Sequence, residues 1–217
     1  MPDLHDESSL AGIEQGEAAA AATPRKRPRP GERRVQILQT LARMLEQPGA
    51  ERITTAALAA RLEVSEAALY RHFASKAQMF EGLIEFIETT VFTLINQVLE
   101  REAQPSLQAQ KVCLLLLQFG EKNPGMTRVM VGDALVFEHE RLIARMNQFF
   151  DRVESQLRQC LRAAAEAAGS PTPTVDAQAL ASATTALLVG RLQRYARSGF
   201  KRMPTEHLEP ALQRLTS

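Results

Sequence analysis

Between Thr54 and Lys76 the chain gathers three aliphatic hydroxyls (Thr54, Thr55, Ser65), a phenol (Tyr70), an imidazole (His72) and the cations Arg71 and Lys76. These are hydrogen-bond donors suited to phosphate oxygens, and a phenol or imidazole at a helix end discriminates poorly between bases. Base reading falls instead to Ser65, Glu66 and Ala67: a carboxylate accepts from a cytosine amino group, and a methyl touches that of thymine. For Thr54 a second reading, simple helix capping, stands beside phosphate contact. Bond-making chemistry finds no comparable set. His139 and Cys113 lack partners at meaningful spacing, and there is no glycine-rich phosphate loop, no Ser/His/Asp pattern and no Cys/His metal spacing. The sequence therefore predicts a binding protein, not an enzyme, with no cofactor or metal.

The elements that position these residues are legible in Ile53–Phe80. A helix from about Thr55 to Leu62, capped by Thr54, buries Leu58 and Leu62. Glu63 and Val64 make a turn, and Ser65 caps a second helix by accepting from a free backbone N–H. Leu69 and Phe73, four apart, share the inner face with Val64. Glu66, Ala67, Tyr70, Arg71 and His72 face out. This is a helix-turn-helix whose second helix suits a DNA major groove. Ser75 caps the next helix and leaves Lys76 in its first turn, where backbone N–H groups and the ammonium can hold a phosphate.

Charge supports the assignment. Residues 1–24 carry −5, residues 25–76 carry +6, and residues 77–217 balance at zero within an overall +1. Positive charge thus collects at the helix-turn-helix, as nucleic-acid contact requires, and an architectural protein coating DNA would spread it further. Two cysteines, Cys113 and Cys160, fall in helical patterns and read as buried thiols in a reducing cytoplasm. No unbroken apolar run approaches the roughly 20 residues that cross a bilayer, so no membrane partner is expected.

The string ALYRHFASK resembles the DNA-binding domain of the TetR family. The likeness continues through GLIEFIE (82–88), the segment 114–142 and RSGFKRMPTE (197–206) into that family's nucleoid-occlusion branch, covering about Arg33 to Leu208. It implies phosphate contacts for Tyr70 and His72 and a homodimer, with one or more dimers on a palindromic site of double-stranded DNA. It further implies association with the nucleoid and inhibition of division-ring (Z-ring) assembly. In that branch the C-terminal tail of FtsZ is received in a groove between the helix after Lys76 and the next one. Phe86, Leu115 and Lys122 match groove positions, with Lys122 where arginine is more usual, Leu94 where the residue can be basic and Gln118 where it can be glycine. Periodicity sets Met79 beside Phe86, outside the centre of the buried arc; alone it favours packing of the pair on a neighbouring helix or on the DNA-binding domain, whereas the resemblance favours an exposed partner-binding stripe. A TetR-type repressor released by a small-molecule inducer is the alternative.

The predicted fold is all-α and TetR-like. Residues 1–30 read as a disordered acidic tail with a basic arm (Pro24–Arg34), 31–75 as the DNA-binding domain and 76–217 as a helical dimerisation and partner-binding domain. Helix one should bury Val35, Leu38, Leu41, Ala42 and Leu45 and end at Pro48-Gly49. Long helices are expected over about 76–101 and 138–168, a central apolar one over 105–122, another from Asp176 to about Ser198 and a last one over 205–215. The small residues Ala177, Ala181, Ala183, Ala186 and Gly190 suit close approach of helices across a two-fold axis.

Overall fold

The computed structural model describes residues 31–47 and 53–216. The acidic tail, most of the basic arm and the Pro48-Gly49 break lie outside them. Nine α-helices and no strand occur among the described residues: α1 Glu32–Leu45, α2 Thr55–Arg61, α3 Glu66–Tyr70, α4 Lys76–Arg101, α5 Pro105–Lys122, α6 Pro124–Met130, α7 Glu140–Ala167, α8 Pro173–Arg197 and α9 Leu208–Thr216. The all-α expectation is borne out.

Local chemistry sets the first boundaries. Oγ1 of Thr54 accepts from the Ala57 N–H at 3.1 Å, Oγ of Ser65 from Ala68 at 3.3 Å, and Oγ of Ser75 from Gln78 at 3.2 Å. Each such cap is worth ~1 kcal/mol. Helix α2 ends in a Schellman turn: Val64 N–H reaches the Ala59 carbonyl at 3.0 Å, and Glu63 N–H reaches Ala60 at 3.1 Å. The turn holds Glu63 at φ 56°, a left-handed conformation that costs a non-glycine residue about 1 kcal/mol.

The packing face of α1 differs from expectation. Ile37, Thr40, Leu41, Ala42 and Leu45 are buried, Leu38 is partly buried, and Val35 is 53% exposed. The α2, α4 and α6 helices all lie against α1, which turns the ridge Ile37–Leu41–Leu45 inward and Val35 away.

One apolar core runs from α1 to α9. Helix α5 sits at its centre, packed on α4, α6, α7, α8 and α9. Val112, Cys113, Leu116 and Leu117 are fully buried, while Leu114 and Leu115 are only partly so. Burial pushes the Cys113 thiol up to about 12, with Cys160 adding to it, and also raises Cys160. Helices α4 and α7 are clamped by a bidentate Arg145–Glu88 pair (3.1 and 2.7 Å), by Arg141–Glu81 at 2.8 Å and by Phe92 edge-on to Phe149 at 5.5 Å. By length and apolar composition α4 alone among the described helices could cross a membrane. It is nonetheless a packed helix whose acids meet arginines of α7.

The connections after α5 differ in detail from expectation. Pro173, predicted to lie in a loop, opens α8, and α9 begins at Leu208, later than expected. His139 caps α7 by accepting from the Arg141 N–H at 3.2 Å, so this residue has a structural role.

Candidate nucleic-acid interface and neighbouring groove

Helix α3 is five residues long and held from behind by Leu69 and Phe73, both 1% exposed. That leaves Ser65, Glu66, Ala67, Tyr70, Arg71 and His72 on the outer surface together. Arg34 lies with its guanidinium 4.1 Å from the Phe73 ring centre and donates to the His72 carbonyl at 2.9 Å. It thereby ties the end of the recognition segment to α1. The sequence reading missed this role, although a cation–aromatic pair across a predicted three-helix unit was a usable signal.

The polar residues of this surface are already linked. Thr55 donates its hydroxyl proton to Glu66 Oε2 at 2.5 Å, and the Tyr70 hydroxyl lies 3.5 Å from Thr55 Oγ1. Thr55 and Glu66 therefore exchange one bond for another when they meet a phosphate or a base. Thr54 is different. As a cap its oxygen only accepts, so its hydroxyl proton is still available to donate. Arg71 is exposed and forms no ion pair with any described acid.

Lys76 is not where its assigned role wants it. Its ammonium pairs with Glu138, 62 residues ahead, and lies 5.7 Å from the Phe80 ring centre. The side chain leans toward the start of α7, so the backbone N–H groups at the α4 terminus, rather than the ammonium, face the DNA side.

Along α4, Phe86 is 48% exposed, while the other large apolar residues of the helix are buried or, like Phe92, Leu94, Val98 and Leu99, half-buried. Met79 is 0% exposed, which removes it from the expected stripe. Helix α4 packs on α1, α5, α6 and α7, with Leu38 of α1 against Gly82 and Arg141 of α7 on Glu81 near its start, so even an off-centre position is enclosed. Helix α5 follows α4 after Glu102–Gln104 and packs back along it. This puts Lys122, exposed in the last turn of α5, at the Phe86 end of the pair, with half-buried Leu115 about two turns back.

Two further residues join the helix-turn-helix to the helical bundle, and both escaped the sequence reading. Arg128, 8% exposed, donates from Nη1 to the carbonyls of Leu45 (3.4 Å) and Gln47 (3.5 Å) at the end of α1, and from Nε to Asp133 at 3.1 Å. A lone arginine inside the apolar string MTRVM was its signal. Gly125 lets α6 meet α1 so closely that a Cβ there would lie 2.0 Å from the Ala42 carbonyl oxygen.

A capped helix-turn-helix joined through a long α4 to a helical bundle is the architecture of a TetR-type DNA-binding regulator. Residues 37–83 match the family described as bacterial regulatory proteins, tetR family, and residues 104–217 match the tetracyclin repressor-like C-terminal domain. Among solved structures, the stearoyl-CoA complex of the transcriptional regulator FadR from Bacillus subtilis superposes with a TM-score of 0.67 at 14% identity, covering 84% of this chain and 97% of that one. The TetR family regulator PfmR from Thermus thermophilus gives 0.65 at 19% identity, covering 83% and 94%. At such identities the likeness is one of fold. Curated relatives are nearer. The nucleoid occlusion factor SlmA of Photobacterium profundum is 52% identical over 186 residues, 85% of this chain and 94% of the relative. That of Vibrio vulnificus is 53% identical over 178 residues, 82% and 90%. The chain belongs to the TetR family and, within it, to the SlmA nucleoid occlusion factors.

Proposed function

We propose that this protein is a DNA-activated inhibitor of division-ring assembly: a homodimer that binds a palindromic chromosomal site and captures the C-terminal tail of FtsZ. In this reading residues 31–75 grip DNA, with Tyr70, Arg71, His72, Thr54 and Thr55 on phosphates and Ser65, Glu66 and Ala67 at base edges. Residues 76–217 dimerise and hold the partner, and the protein works in the cytoplasm on the nucleoid. Few strong base-reading side chains are exposed, so specificity leans on DNA shape and on paired half-sites.

The observation that carries the partner assignment is the exposed ring of Phe86, the one large apolar side chain of α4 that is exposed rather than buried or half-buried. It sits at the same end of the α4–α5 pair as the free-standing Lys122, an apolar anchor beside a cation, which suits a short peptide with apolar and acidic groups. The dimer assignment is supported by α8, whose small residues divide between two faces. Ala177 and Ala181 are buried within the subunit, whereas Ala183 and Ala186 point outward and nothing lies within 4 Å of a Cβ at Gly190. The outward set leaves room for close approach by the same helix of a second copy.

The test is a titration of a labelled FtsZ C-terminal peptide against the protein, with and without a DNA duplex that it selects from a random library. Saturable binding that DNA strengthens supports the reading. Absence of binding in both arms would favour an inducer-controlled repressor.

A further inference from the structure

The neutral balance of residues 77–217 conceals a strong asymmetry. Arg191, Arg194, Arg197, Lys201 and Arg202 lie close together with Glu206 the only acid from 191 to 207, giving +4, while the remainder of 77–217 carries −4. Several cations elsewhere on these helices are matched to acids: Lys111 with Glu102, Arg141 with Glu81, Arg145 with Glu88, Arg162 with Glu166. Arg152 lies over the Phe92 ring, and Arg158 donates to Gln178. Arg194, Arg197, Lys201 and Arg202 are exposed, and no described acid pairs with them.

Their support is built. Arg191 donates from Nη1 to the carbonyls of Pro204 (3.1 Å) and Glu206 (2.7 Å), folding the segment after α8 back on the helix. The Ser198 hydroxyl accepts from the N–H groups of Lys201 (3.0 Å) and Arg202 (2.9 Å). Between helix and segment lies an open groove of about 700 Å³ whose lining includes Ala186, Gly190, Arg194, Arg202 and His207. Through Ala186 and Gly190 the groove adjoins the proposed dimer face.

Its position is the second observation. Tyr195 donates to the Glu121 carbonyl at 3.1 Å and Thr205 to the Glu121 carboxylate at 2.6 Å, which joins this region to the last turn of α5. Helix α6 follows α5 directly and is the piece that touches α1 through Gly125 and Arg128. The cationic cluster thus occupies the end of the bundle nearest the helix-turn-helix. Pairing through the outward face of α8 brings two such clusters together between the two recognition helices.

We propose that Arg194, Arg197 and Arg202 form a second phosphate-facing surface, directed at the DNA backbone between the two half-sites. Charge complementarity and continuity with the helix-turn-helix favour duplex DNA as the occupant. The inference rests on the DNA-binding homodimer proposed above. Its role is to add screened, sequence-independent attraction at the centre of the site, where no recognition helix reaches.

The test compares the salt dependence of affinity for a library-selected duplex in the full-length wild type, Arg194→Gln/Arg197→Gln/Arg202→Gln and Arg162→Gln. Arg162 lies toward the far end of α7, a helix about 42 Å long at 1.5 Å per residue. Each phosphate contact contributes about 0.9 to the slope of log K against log salt. The triple variant should therefore lose at least ~2 from its slope per dimer, with circular dichroism and melting unchanged, and Arg162→Gln should lose nothing. An unchanged slope in a triple variant that still binds the duplex would overturn this proposal alone. If the wild type selected no duplex, DNA binding itself would fail and the proposal with it. Loss of binding to anionic phospholipid vesicles with an unchanged DNA slope would assign the cluster to a membrane surface instead and also overturn it.

Discussion

Gly125→Ala should separate the helix-turn-helix from the bundle beneath it. A Cβ at this position would stand 2.0 Å from the Ala42 carbonyl oxygen and 2.9 Å from its carbon, where real Cβ atoms keep beyond about 3 Å. The obstacle is backbone of α1, so no rotamer change relieves it. Either α1 or α6 must move by roughly 1 Å, and overpacking of this kind costs ~1–3 kcal/mol. Exchange of glycine for alanine in a helix returns up to ~1 kcal/mol. At the α6 N-terminus that gain is smaller, leaving a net loss of about 1–2 kcal/mol and a fall in Tm of roughly 2–8 °C for a chain of this size. The same movement stretches the 3.4 and 3.5 Å bonds from Arg128 to Leu45 and Gln47. DNA affinity should therefore fall more than the melting shift alone predicts. Thermal melting by circular dichroism of the wild type and Gly125→Ala, with the exposed change Arg162→Gln as the control, provides the readout. A Gly125→Ala protein melting at or above the wild type would refute the reasoning.

Phe86→Ala should change stability by no more than ~0.5 kcal/mol, as for an exposed side chain, keep DNA affinity and weaken capture of the FtsZ peptide; equal loss of both affinities would mark the ring as structural. His72→Ala should weaken binding to every duplex alike, and a changed sequence preference in a selection experiment would contradict a backbone contact. Cys113 should resist iodoacetamide at pH 8.5 until the protein unfolds, because its thiol is held up to about 12. The sign for stability follows. The unfolded chain ionises this thiol near its ordinary value of 9.0 while the folded chain does not until about 12, so Cys113 lowers stability as pH rises through that window and contributes nothing below it. The loss is about 1.4 kcal/mol per pH unit, read from urea midpoints at pH 8 and 10.5 in wild type and Cys113→Ala.

What was legible in the chain was what local chemistry decides. The caps Thr54, Ser65 and Ser75 each hydrogen-bond three residues ahead, so neighbouring residue types suffice to place them. The inward turn of Leu69 and Phe73 follows from spacing alone. Tertiary packing decided the rest. Met79 and Val35 were misplaced because α4 and α1 are each covered by several helices, and one periodic arc cannot say how wide the covered sector is. The ammonium of Lys76 was lost to Glu138, a carboxylate with no sequence proximity to announce it. The alanines of α8 show the same limit: one stripe of small residues serves two faces, and only the position of α7 divides Ala177 and Ala181 from Ala183 and Ala186.

Helix α4 is a single uninterrupted rod, braced against α7 by two arginine–glutamate clasps, with the helix-turn-helix at its start and Phe86 nearly three turns on. Such a strut cannot tilt at one place without tilting at the other. If duplex fixes that tilt, the ring of Phe86 is presented at a set angle before any peptide arrives. Thermodynamic reciprocity then demands that a docked peptide slow the departure of DNA by the same free energy that DNA lends to the peptide.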